Sequence, residues 1–154
     1  MDNIKQFVKP FAKATVDCFD QMVGVALRLK NIEYIDHRYR QDGIYANIGF
    51  VGDAQGMIAI SLSEEAAIQV ISRFSGETAS AIDEEAIDAV GEIINIIAGG
   101  KSLIQGVRLT MSLPSVIYGR PLWISLPRDV PIISTTFEAN GIGDVTLFVC
   151  MQAN

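Results

Sequence analysis

Glu92 and Asn95 stand three residues apart in the segment DEEAIDAVGEIINIIAGGKSL, residues 83–103. A carboxylate accepts hydrogen bonds and pairs with cations, whereas a carboxamide donates and accepts without carrying charge. Held side by side on a rigid element, the two present unlike polar groups to whatever approaches. E-x-x-N is nevertheless a common pattern. A solvent-facing stripe with ordinary acids and an incidental asparagine is the plain alternative, and spacing alone leaves both open.

At about 100° per residue, Glu85, Asp88, Glu92, Asn95, Gly99 and Ser102 fall on one narrow stripe of a helix. Ala86, Ile87, Val90, Ile93, Ile94 and Ile97 cover the opposite faces and are the predicted core. Two features go beyond a solvated face. Glu85, Asp88 and Glu92 are like charges at i, i+3 and i+4, which costs a few tenths of a kcal/mol per pair, and Glu92 lies too far along to gain much from the helix N-terminus. Small residues also flank the stripe: Ala89, Gly91, Ala98, Gly99 and Gly100. Glycine inside a helix costs about 1 kcal/mol relative to alanine, and small flanks let another backbone or a ligand come close. The stripe reads as a flat surface, not a pocket.

The elements that must position this helix follow from periodicity. In the first segment, Ile4, Phe7, Val8, Phe11, Thr15, Cys18, Met22, Ala26 and Leu29 recur in steps of three and four, an amphipathic helix with Pro10 near its start or bending it. Strand-like runs at 32–39, 44–51 and 57–62, broken by Asp42-Gly43 and by residues 52–56, predict an antiparallel meander. Ser63 caps a short helix that Gly76 stops. Ser80 and Asp83 stand in capping-box spacing before the next helix, which ends around residues 99–105. Strands resume from Val107, punctuated by Pro114, Pro121, Pro127 and Pro131. The last two, near 132–138 and 144–151, are joined by residues 139–143. The expected fold is α+β in two layers, long helices on a largely antiparallel sheet, in a single domain over 1–154. The two halves echo each other: a shift of 75 lays Gly24 on Gly99, Asp17 on Glu92 and Asp20 on Asn95. That echo predicts a pseudo-two-fold duplication whose first helix carries only a degenerate D-x-x-D.

Composition narrows the function classes. The chain has 154 residues, 49% hydrophobic and 19% charged, with a net charge of −6. A domain of this length buries about 70% of its unfolded surface and needs no staples. Twelve basic residues with no run among them argue against nucleic acid and against anionic lipid, both of which select basic faces. Cys18 and Cys150 read as small buried hydrophobes in a reducing compartment. The lone histidine, His37, reads as a half-exposed strand residue and gives neither a metal cluster nor Ser/His or Cys/His catalysis any support. Residues 1–19 do not read as a signal peptide, and no apolar run approaches the ~18 residues of a membrane span. A soluble cytoplasmic protein is expected. Gly100-Lys101-Ser102 resembles the end of a phosphate-binding loop, but Asn95 occupies the position of its first glycine and the segment ends a helix instead of opening one.

SEEAAIQVISRFSG, DEEAIDAVGEIINIIAGGKSL and LPSVIYG together resemble the CheC/CheX group of chemotaxis phosphatases, most closely over about residues 61–120. The family's acid-x-x-asparagine signature falls on Glu92 and Asn95, and a single intact signature resembles the CheX branch. The resemblance implies a CheC-like fold and dephosphorylation of an aspartyl-phosphate on a CheY-like response regulator. It implies no cofactor of the protein's own, since Mg²⁺ is expected on the partner. Asn95 would position the hydrolytic water and Glu92 would pair with a partner lysine. Gly91, Ala98 and Gly99 would form the approach surface, with Glu85 and Asp88 at its rim; packing and solubility account for these five equally well. A homodimer is implied as well. The rival reading is a non-catalytic binding module related to flagellar switch domains, because fold alone does not establish activity. A small-molecule enzyme using the acid stripe would need a concave pocket and a suitable base.

Overall fold

The computed structural model describes residues 4–154. Helix α1, Lys5–Cys18, buries Phe7, Phe11, Thr15 and Cys18, the steps of four, four and three that the sequence predicts, with Pro10 inside it. It runs on as a π-helical turn, Phe19–Val23, and stops where Gly24 takes φ +78°, the left-handed conformation that ends helices. The expected helix therefore ends early: Ala26 lies beyond it, and Leu29 belongs to strand β1, Leu27–Ile35. Strands β2, Arg38–Gly52, and β3, Ala54–Leu62, follow, then helices α2, Glu64–Ser75, and α3, Glu84–Ala98. A 3-10 turn, Gly99–Leu103, leads to β4, Leu109–Met111, β5, Ser115–Ser125, β6, Ile132–Ala139, and β7, Gly143–Ala153.

All pairings are antiparallel, and the sheet order is β1-β6-β7-β3-β2-β4, with β5 also on β2. The predicted meander is corrected in two places. First, β1 pairs with β6, Leu27 opposite Ala139, and not with β2. Second, Asp42-Gly43 is no turn. β2 runs straight through it, with a register shift against β5 between Gln41 and Gly43. Gly43 has φ +115°, a conformation that lets a strand absorb a bulge and keep pairing. His37 lies in the step between β1 and β2, not in a strand, with Nδ1 2.7 Å from an Asp36 carboxylate oxygen.

The pseudo-two-fold appears in the pairing itself. Hairpins β2–β3 and β6–β7 meet at the centre through β3 and β7, Ile58 opposite Val149. Each half lends an outer strand to the other's hairpin: β1 to β6, and β5 to β2.

Alternation along these strands sorts two clusters onto opposite faces. Ile44, Ala46, Ile58, Ile60, Leu147 and Val149 join the main core beneath α1, α2 and α3. Tyr45, Ala59, Phe148 and Cys150 face the other way, under Leu122, Ile124, Leu126 and Val130. There Tyr39 stacks on Phe148 with ring centroids 4.6 Å apart, and the Tyr39 and Tyr45 hydroxyls lie 3.0 Å apart. Both cysteines are free and buried, as expected, one in each cluster. Burial pushes the Cys18 thiol up to about 11.

Where α3 gives way to its 3-10 turn, Gly100 seats against α1. A Cβ there would lie 2.8 Å from the Ala14 Cβ and 3.0 Å from the Pro10 carbonyl oxygen. Gly100→Ala is therefore expected to push α1 off α3 and cost about 1–3 kcal/mol, as overpacking does. A denaturant melt checks this; an unchanged midpoint would show that the two helices tolerate separation there.

Candidate functional site

Helix α3 begins at Asp83, whose carboxylate accepts from the Ala86 N–H at 2.9 Å. Asp83 is thus the N-cap itself, and the capping-box reading that began at Ser80 is corrected. Glu84 and Glu85 sit in the first turn, where the helix dipole favours negative charge. On α2 the expectation holds: the Ser63 hydroxyl accepts from the Ala66 N–H at 3.1 Å, and Gly76 closes the helix with φ +76°.

Ala86, Val90, Gly91, Ile93, Ile94, Ile97 and Ala98 are buried. Glu85, Asp88, Glu92 and Gly99 are exposed, and Asn95 is half-buried. The predicted stripe is therefore the exposed edge of an otherwise sunken helix. No hydrogen bond or ion pair ties the Glu92 or Asn95 side chain to another described residue, so both remain available to an incoming group. Neither lines any of the larger grooves found among the described residues. The most apolar of these, about 530 Å³ between α1 and the β1–β6 edge, contains no α3 residue. No three His, Cys, Asp or Glu side chains among the described residues converge as a metal site.

Two of the candidate approach residues are corrected by burial. Gly91 is covered: a Cβ there would meet Val116 Cγ2 at 3.6 Å and Pro114 Cγ at 3.8 Å. Ala98 is fully buried. Both lie on the flank of α3 that the sheet side closes over. Gly99 is open: a Cβ built on it would meet no other element within 4 Å.

The two walls of the stripe differ. Gly91 is about 40° from Asn95 around the helix axis, so the residues after β4, through Pro114 and Val116, wall the Asn95 side. Gly100 and Ile96 turn toward α1 on the Glu92 side, where Ile96, Gly99, Ser102, Ala14, Asp17 and Met22 border a shallow groove of about 560 Å³. Sequence reasoning missed the Pro114 wall. The one available signal was the quoted LPSVIYG segment, which carried no assigned role. Asp17 pairs with Lys13 at 2.8 Å, one turn earlier. Asp20 falls in the π-helical turn, whose i→i+5 spacing rotates it off the α-helical stripe that Asp17 would begin.

A family model for the chemotaxis phosphatase CheX matches residues 44–138, more than half of the chain and all of α3. The chain belongs to the CheX family. A curated relative, the CheY-P phosphatase CheX of Thermotoga maritima, is 33% identical over 107 residues, covering 67% of this chain and 69% of that one. The crystal structure of a chemotaxis protein CheX from Desulfovibrio desulfuricans superposes with a TM-score of 0.85 at 28% identity, covering 94% of this chain and 97% of that one. The CheX of Borrelia burgdorferi, solved as a complex with CheY, beryllofluoride and magnesium, gives a TM-score of 0.78 at 18% identity, with 94% and 97% covered; at that identity the likeness shows the fold. The segment matched by the CheX model holds Glu85, Asp88, Glu92, Asn95 and Gly99, whereas Asp17 and Asp20 lie outside it.

Gly91 makes only ordinary contacts and sits inside a helix. Gly91→Ala is expected to stabilise by roughly 0.4–1 kcal/mol, raising Tm by about 1–4 °C for a chain of this size. Calorimetry checks it; a fall in Tm would mean that the Pro114 wall approaches more closely than described.

Proposed function

We propose that this protein hydrolyses the aspartyl-phosphate of a CheY-like response regulator by setting the α3 stripe against the regulator's active site. One observation carries the reading: in a CheX-family chain, an exposed carboxylate and a half-buried carboxamide stand one turn apart on the open edge of a buried helix, with no hydrogen-bond or ion-pair partner among the described residues.

Acyl-phosphate hydrolysis needs a water held in line with the leaving aspartate oxygen, and most of the catalysis is positioning and electrostatics. Asn95 orients that water through its carboxamide, which adds no charge beside the phosphoryl group. Glu92 pairs with a cation at the regulator's site, a lysine by family resemblance, and fixes α3 over it. Mg²⁺ belongs to the regulator. Exposed Gly99 admits the partner's backbone, and Glu85 and Asp88 stand at the rim. A cytoplasmic location goes with such a partner, and assembly as a homodimer is part of this reading. The names of the relatives, a CheY-P phosphatase and a complex with CheY, support it.

The test is the decay of a phosphorylated CheY-type receiver from the same organism. Wild type is expected to accelerate it, and Asn95→Ala to lower the rate at saturation by about 10²-fold, as loss of one positioned polar group does elsewhere. Glu92→Ala should weaken binding and rate together. Undiminished turnover by Asn95→Ala would discard this mechanism. Binding without acceleration by wild type would favour the non-catalytic module.

A further inference from the structure

Leu113 is 88% exposed, more than any other large apolar side chain among the described residues. A single exposed leucine on a mobile loop is ordinary. This one is held. The preceding residue, Ser112, donates its N–H to the Gly49 carbonyl at 2.9 Å, its hydroxyl accepts from the Gly49 N–H at 2.9 Å, and that hydroxyl lies 2.9 Å from the Leu113 carbonyl. The following residue, Pro114, packs over Gly91. Leu113 thus follows a residue hydrogen-bonded to β2 and precedes a proline ring packed against α3, while its own side chain stands in solvent. Gly91 is on the Asn95 side of the stripe, so the leucine is one residue from the wall that borders the carboxamide. On that side the stripe itself offers polar groups, Asp88 and Asn95, and the exposed apolar side chains Met22 and Leu103 lie across it, toward α1.

We propose that Leu113 is the apolar anchor of the regulator interface and a determinant of which receiver the stripe accepts. This rests on the phosphatase reading and extends it. With Ser112 bonded to β2 and Pro114 packed on α3, covering an apolar side chain between them costs less loop ordering than covering one on a free loop. Leu113 also selects a partner that offers a matching apolar recess beside its phosphorylated aspartate. Leu113 touches neither the water nor the phosphoryl group, so it acts on binding and leaves the chemical step alone.

The experiment uses the full chain and a CheY-type receiver of the same organism, held in its active state with beryllofluoride and Mg²⁺ for binding and phosphorylated for turnover. Leu113→Asp is expected to weaken binding and raise KM about tenfold or more, the loss typical of an interface anchor, with kcat and Tm unchanged. Leu113→Met is expected to restore most of the affinity. Wild-type turnover with unchanged KM and Kd in Leu113→Asp overturns the anchor alone. An equal loss in Leu113→Met, or a fall in kcat at constant KM, also overturns it. Wild-type protein that neither binds nor dephosphorylates the receiver overturns the phosphatase reading, and the anchor with it.

Discussion

Helix α3 lies sunk between α1 and the sheet, and the rest of the molecule is arranged around that fact. Its isoleucines are fully buried at positions 93, 94 and 97, which fixes the rotation of the helix about its own axis. That rotation decides which residues reach solvent. Removing several isoleucine side chains from water stabilises by roughly 1.5–3 kcal/mol each, far more than the few tenths that like charges on the stripe cost. The acids and Asn95 therefore stay aligned whatever their mutual repulsion. Gly100 sharpens the constraint by letting α1 close on the end of α3. A helix that cannot roll would suit the proposed role of Glu92 and Asn95, which asks two side chains to meet a partner's active site without rearranging.

The sheet supplies the platform through long-range pairing. β1 and β5 cross between the halves, so the main core is built jointly by both. The pseudo-two-fold in strand pairing does not extend to the chemistry. On α1, the D-x-x-D at Asp17 and Asp20 is split by a π-helical turn and partly occupied by the Lys13 ion pair. On α3, Glu92 and Asn95 keep regular helical spacing and have no side-chain partner among the described residues. The two halves thus share strand pairing but differ in what their long helices present.

Much of this was legible in the sequence. Apolar steps of three and four placed α1 and α3, and the stripe was drawn correctly because a helical wheel depends only on local geometry. Ser63 and Gly76 marked α2 correctly for the same reason. What escaped depended on distant partners. The β1–β6 pairing joins residues about 100 positions apart, Glu33 with Ser134 for example, and no local pattern distinguishes it from a meander. Asp42-Gly43 has turn chemistry, but β5 pairs on both sides of it and turns it into a bulge. Gly91 and Ala98 have the small side chains expected of an approach surface. A wheel gives their angle and not what lies against them, and for Gly91 that is Pro114 and Val116.

In the proposed complex the partner lies along the open edge of α3. The most direct measurement is the perturbation of its NMR signals when an unlabelled, beryllofluoride-activated receiver with Mg²⁺ is added. The Asn95 side-chain amide and the backbone signals of Glu85, Asp88, Glu92 and Gly99 are expected to shift together, while those of Leu29, Ile32 and Tyr34 at the β1 groove stay in place. Shifts confined to the β1 groove, with α3 silent, would contradict it.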